Sequence, residues 1–253
     1  MSTDATPIRR GPPWPRDVDR ILLDEIDSTS AEAIRRAPAG PTWIMARRQT
    51  AARGRRGRAW VMPEGNFAAS LIWRPGGEPA ALALRSFVAS LALRDALADM
   101  GVAGLTLKWP NDVLLGGGKL AGILLESPSP GTLVLGIGIN LIAAPDPAAV
   151  EARALRPVSL LAGSGLRITP EEMLDRLAPA FAAREAQMQA WGFAPIRTEW
   201  LAHAAGLGQT LTARTGTDTV EGTFEDVDDT GQLVLRTAKG PHRVAAGDVF
   251  FGG

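Results

Sequence analysis

The stretch QTAARGRRGRAW, Gln49–Trp60, decides how the rest of this chain is read. It sets Arg53, Arg55, Arg56 and Arg58 around Gly54 and Gly57 and then stops at Trp60. Guanidinium groups this close repel one another, so neither a helix nor a packed strand is a comfortable home for them. Glycine adds backbone freedom and lets main-chain N–H groups come close to a bound group. Arginine stays charged and offers a planar fork matched to carboxylate and phosphate oxygens. The pattern predicts a mobile loop that orders itself around a small, dense anion. A charge run is more often a solvated face or a nucleic-acid patch. Here, however, Lys plus Arg and Asp plus Glu both number 27, and the formal net charge is zero. Polyanion binders carry excess positive charge over a whole face; this chain concentrates it in one loop.

At 253 residues the chain is long enough for one large domain or a main domain with a small appendage. Its hydrophobic fraction of 45% suits a globular protein with a substantial core. It contains no cysteine, which excludes disulfides, thiolate zinc sites and cysteine nucleophiles. His203 and His242 lie far from the loop and read as surface or structural residues. No apolar run reaches membrane-spanning length. The opening MSTDATPIRRGPPWPRD lacks the apolar segment of a secretory signal. The cytoplasm is the expected compartment, and no membrane partner is expected.

Residues 1–17, rich in Pro and charge, read as a flexible arm. Ile21–Leu23 suggests a first strand, and Asp27-Ser28-Thr29-Ser30 before AEAIRRA carries an N-cap signature. Those hydroxyls either cap the helix or face a pocket. Trp43–Ala46 reads as a strand running into the arginine loop, and Phe67–Trp73 as another. Leu84, Phe87, Val88 and Leu91 fall at helical spacing within a largely buried helix over Pro79–Met100. Leu105–Lys108 is a strand entering a Trp109-Pro110 corner, with Trp109 read as core. Val113–Leu115 and Leu120–Leu125 form a hairpin around Gly116-Gly117-Gly118. Lys119 follows that turn directly. A phosphate-binding P-loop would need Ser or Thr after Gly-Lys and a helix beyond, whereas Leu120 and a strand follow here. Leu133–Leu141 carries glycines inside a strand, a mark of close approach by a ligand or another backbone. Asn140 near its end reads as pocket lining or turn former. Ala143–Pro157 is a connection, Thr169-Pro170-Glu171-Glu172 starts a helix running to Trp191, and Pro195–Ala204 suggests one more. From Thr210 to Phe251 short β runs alternate with turn signals, as in a small barrel-like domain.

With these segments placed, the chain resembles the biotin–protein ligases. The matching pieces are Asp27-Ser28-Thr29, the Gln49–Trp60 loop, Lys108-Trp109-Pro110-Asn111-Asp112, Gly118–Ile123 and Gly136–Asn140. The resemblance implies an α+β fold: a central mixed β-sheet with helices packed on it over residues 18–205, as in class II synthetases. A C-terminal SH3-like β domain over 206–253 would follow. It implies a two-step ligase in which biotin's carboxylate attacks the α-phosphate of ATP, giving biotinyl-5′-AMP. A lysine of a biotin carboxyl carrier protein domain then takes the biotinyl group and AMP leaves. Lys119 and Arg55 would be catalytic. Ser28, Thr29, Ser30, Gln49, Arg53, Gly54, Arg55, Trp60 and Lys119 would bind biotin. Arg55, Arg58, Asn111, Asp112, Lys119 and Asn140 would serve the nucleotide. Mg2+ would accompany ATP, with no protein metal ligand assigned. An edge strand of the sheet could support a homodimer.

Ala52 stands where the family's loop has its first glycine, and Ser30 where it often has Asn. Only a short Pro-rich arm precedes the first strand, where some members carry a winged helix. The resemblance therefore implies a monofunctional ligase with no nucleic-acid partner. The nearest rival is a lipoate or octanoate ligase or transferase of the same superfamily, which generally lacks the arginine loop. A rival of another class is a single-strand nucleic-acid binder stacking bases on Trp43, Trp60 and Trp73.

Overall fold

The structure, a computed structural model, describes residues 11–146, 155–216 and 218–251. The first ten residues of the expected arm, the middle of the Ala/Pro connection and the last two residues lie outside it. Seven strands build the main sheet: β1 (Asp19–Ile26), β2 (Thr42–Gln49), β3 (Phe67–Trp73), β4 (Leu105–Lys108), β5 (Asp112–Leu115), β6 (Gly118–Ser129) and β7 (Thr132–Ile139). Their order is β1-β2-β3-β7-β6-β5-β4. The β1–β2 pair is parallel, because helix α1 (Thr29–Arg36) crosses between them, and the remaining pairs are antiparallel. Gly116 and Gly117, at φ 56° and 81°, make the tight turn from β5 into β6.

Alternation along the central strands sends side chains to two different faces. Trp43, Met45, Leu71, Trp73, Leu133 and Leu135 belong to the large core with the helices. Ile44, Ile72 and Val134 pack with Ala33 of α1 on the opposite face. The large core is closed by α2 (Pro79–Ala83), α3 (Arg85–Asp99), the one-turn α4 (Leu160–Ser164), α5 (Pro170–Trp191) and α6 (Phe193–Ala202). The single helix expected over Pro79–Met100 is divided at Leu84. Just beyond the break Arg85 turns inward, donating to Ala81 O at 2.8 Å and to the buried Glu185 at 3.0 Å, which ties α3 to α5. The expected start of α5 is a full capping box between Thr169 and Glu172. Trp43 and Trp73 both meet Phe181 edge to face and are buried, which removes them as platforms for nucleic-acid bases. Within the described part of the arm, Trp14 donates to Val18 O at 2.6 Å and packs on the core.

The second sheet is antiparallel, in the order β11-β10-β9-β8-β12, from β8 (Thr210–Arg214), β9 (Thr219–Val227), β10 (Leu233–Thr237), β11 (Gly240–Val244) and β12 (Asp248–Phe251). It docks on the main sheet through Trp109, whose indole donates to Gly231 O at 3.0 Å. Trp109 is buried, as the sequence reading had it, and its bond to Pro110 is cis.

Candidate active site

One cavity of about 860 Å3 lies on the α1 face of the main sheet and runs to the second sheet. Every residue singled out from the sequence for biotin, nucleotide or catalysis lines it.

Its closed end is built where α1 starts. Ser28 caps the helix, its Oγ accepting from Ala31 N at 3.4 Å, so it both caps and faces the pocket. Asp27 fixes the cap by accepting Ser28 N–H at 2.7 Å. Hydrogen bonds from Arg35 hold the Asp27 carboxyl at about 2. The parallel crossover places the end of β2 beside this turn, so Gln49 Oε1 accepts from Thr29 N at 2.7 Å and from Thr29 Oγ1 at 3.1 Å. Ser70, from the middle of β3, lies 2.8 Å from Thr29 Oγ1 and 3.0 Å from Ser30 Oγ.

The floor is the glycine-bearing part of β6 and β7, where Gly122 pairs with Gly138. Here the glycines are needed for space. A Cβ on Gly138 would come within 2.6 Å of the Trp60 indole, and one on Gly122 within 3.1 Å. Lys119 reaches over the same indole, 5.7 Å from its centroid, and pairs with Asp112 at 2.8 Å.

The arginine run folds as a small hairpin. Arg53 bridges Ala59, Gly54 N bonds Arg58 O at 2.8 Å, and a 3-10 turn covers Arg55–Gly57 with Arg56 at φ 56°. The repulsion among the loop arginines, expected to be relieved by a bound anion, is offset in this structure by a protein carboxylate. Asp248 of β12 pairs with Arg58 and with Arg56 at 2.7 Å, and lies 4.0 Å from Arg55. Burial raises the Asp248 pKa, but Arg58, Arg56 and Arg55 outweigh it and hold it below the usual carboxylate value. Arg55 donates to Asn111 Oδ1 at 3.3 Å and to Gly247 O at 3.2 Å. Burial lowers its pKa, though a guanidinium remains charged. Asn111 in turn donates to Ile123 O, linking the loop to β6. Asn140 donates to Val158 O at 3.2 Å while its buried Oδ1 has no partner among the described residues.

Ser70, Lys108 and Asp248 were not picked out from the sequence. Lys108 lines the cavity at the end of β4, and burial lowers its pKa. Its neighbour Asp112 is already engaged by Lys119. The signal for it was available: a lysine ending an apolar strand just before a Trp-Pro corner.

The Biotin/lipoate A/B protein ligase family matches residues 23–141, and the Biotin protein ligase C terminal domain matches residues 206–252. The chain is 54% identical, over 92% of its length and 100% of the relative's, to a Biotin--[acetyl-CoA-carboxylase] ligase of Paracoccus denitrificans. It is 32% identical to the protein of that name from Mycobacterium tuberculosis, over 96% of this chain and 91% of that one. The fold is shared with the biotin protein ligase from Aquifex aeolicus solved in complex with biotin and ATP. That similarity has a TM-score of 0.83 at 24% identity and covers 92% of this chain and 99% of the other. The chain belongs to the biotin protein ligase family.

Proposed function

We propose that this chain activates biotin with ATP to biotinyl-5′-AMP and transfers the biotinyl group to a lysine of a biotin carboxyl carrier domain, as in acetyl-CoA carboxylase. The observation that carries the proposal is the continuity of the cavity. A closed end of hydroxyls and an amide leads, over a glycine floor, to Lys119 and the loop arginines.

A carboxylate and a triphosphate repel each other, so their meeting needs cations at the contact. Lys119 stands between the two ends as a point charge for the carboxylate and α-phosphate oxygens, with Asp112 fixing its amine. Arg55 and Arg58 bind phosphate oxygens once Asp248 gives them up, and stabilise the charge that moves to pyrophosphate as the α-phosphorus bond breaks. Arg53 and Gly54 close the loop over the acyl chain. Trp60, lying on the glycine floor, walls the pocket. Asn140 offers an unused acceptor to an amino group at the nucleotide end. Closure of the loop keeps water from the mixed anhydride. In the second step the carrier amine attacks the acyl carbon, loses a proton and expels AMP.

Among the described residues no group of three or more His, Cys, Asp or Glu side chains could hold a metal ion. Mg2+ would arrive on the triphosphate, where phosphate oxygens and water supply most ligands; Asp112 is the lining carboxylate that pairs with Lys119. β1 forms one edge of the main sheet, which supports a homodimer as a reading. No helix among the described residues is long and apolar enough to cross a membrane, and we infer a cytoplasmic setting. Incubation with biotin, ATP and Mg2+ is expected to yield the mass of biotinyl-AMP; its absence overturns the reading.

A further inference from the structure

The hydroxyls at the closed end form a chain whose proton direction can be worked out. Thr29 N–H can only donate, so the Gln49 atom 2.7 Å away is the carbonyl oxygen. An amide oxygen can only accept, so Thr29 Oγ1, 3.1 Å from it, is the donor. A hydroxyl has one proton, and that of Thr29 is now committed. The 2.8 Å contact between Thr29 and Ser70 therefore needs Ser70 to donate. Ser70's proton is then committed in turn, and the 3.0 Å contact to Ser30 needs Ser30 to donate. Ser70 is fully buried, and Thr29 and Ser30 expose only their cavity-facing edges, so the three hydroxyls meet one another before they meet solvent. Ser30 is also hemmed in by β7, since a Cβ on Gly136 would lie 2.8 Å from its Oγ. Ser28 differs: its Oγ accepts from Ala31 N, and its proton is uncommitted among the described residues.

We propose that Ser70 is a positioning residue that makes Ser30 an acceptor, and leaves Ser28 a donor, toward the ligand. The matching ligand edge is a carbonyl flanked by N–H groups, a cyclic urea. The inference rests on the functional reading above and adds to it which hydroxyl meets which ligand atom, through a residue that does not line the cavity.

The test compares biotin with cyclic-carbamate analogues in which one ureido N–H is replaced by oxygen. A site with a fixed acceptor rejects the carbamate, because lone pair faces lone pair and a buried group is left unpaired. In the Ser70→Ala variant the Ser30 proton is released and can turn to the ring oxygen. Pyrophosphate release with ATP gives kcat/KM for each acid. The preference for biotin over at least one carbamate isomer is expected to fall at least tenfold in Ser70→Ala, with the ATP KM within twofold of wild type. Ser70→Cys, which keeps a donor in place but a larger and weaker one, is expected to lie between, and serves alone if the alanine variant does not fold. A preference unchanged in both variants, or equal losses on biotin and carbamates, overturns the role of Ser70 while leaving the ligase reading intact. A wild-type protein that neither binds biotin nor releases pyrophosphate with it overturns both.

Discussion

Asp248 of β12 and Arg58 of the loop after β2 form a hydrogen-bonded ion pair across 190 residues of chain. The same carboxylate takes Arg56, so the small β-sheet holds the cation loop in place. Asp248→Asn removes the charge that offsets three guanidiniums. Loop arginines are expected to be cut by trypsin several-fold to about tenfold faster, since each lost hydrogen bond to a charged group is about 1.5–3 kcal/mol before solvent screening. Biotin with ATP is expected to restore protection. Unchanged cleavage without ligand would remove the clamp.

Lys119→Ala and Arg55→Ala are expected to lower pyrophosphate release about 100-fold or more, the usual loss when a donor to developing charge is removed. Circular dichroism is expected to stay that of the wild type. Normal release by either variant would remove that residue from the mechanism.

Asp27→Asn tests the turn that carries Ser28. The folded carboxyl titrates at about 2, below its ordinary 3.8, because Arg35 and Ser28 N–H favour the ionised form. The stabilisation is therefore full above the unfolded value and is lost as pH falls through the folded one. Wild type is expected to melt above Asp27→Asn at pH 7, with the gap closing between about pH 4 and pH 2. A gap that persists at pH 2 would assign the effect to something other than this charge.

Lys108→Met separates stability from activity. Burial disfavours the Lys108 ammonium in the folded state, a penalty present at neutral pH and relieved only as pH rises toward the unfolded lysine value of about 10.4. The variant is expected to have a higher Tm at pH 7. Because Lys108 lines the cavity and carries a charge there, its loss is expected to slow pyrophosphate release about tenfold or more, the usual size of one charge-assisted contact. Full activity would make Lys108 a structural residue.

Gly138→Ala puts a methyl into the Trp60 indole, at 2.6 Å by the present geometry. Trp60 is expected to leave the floor, seen as a shift in fluorescence absent from a Trp60→Phe background, with a rise in biotin KM. An unaltered spectrum would show that the contact yields easily.

The strands and helices were legible because apolar residues recur at their own spacings and Thr169-Pro170 and Gly116-Gly117 punctuate them. The loop and hairpin residues were legible because four arginines in six positions and a lysine after three glycines have no ordinary packing role. Ser70 was not, since one serine in FAASLIW, all of it buried, reads as a strand residue like its neighbours. Asp248 was not, because its partners lie some 190 positions away and nothing local to GDVFF shows them. The break at Leu84 was missed for a similar reason: Glu185, which draws Arg85 inward, lies 100 residues on.

The pairing of Phe67 with Ile139 in the centre of the main sheet also bears on how the protein is made. A nascent chain that has passed β3 has neither a floor nor Lys119, and one that has passed β7 still lacks the carboxylate that steadies the loop. A leading stretch that stops short of β7 owns no complete pocket, and such late, non-local closure is slow. A cut between β3 and β6 would therefore part the closed end from the glycine floor, and the two pieces would have to rebuild the β3–β7 pairing before the pocket could exist.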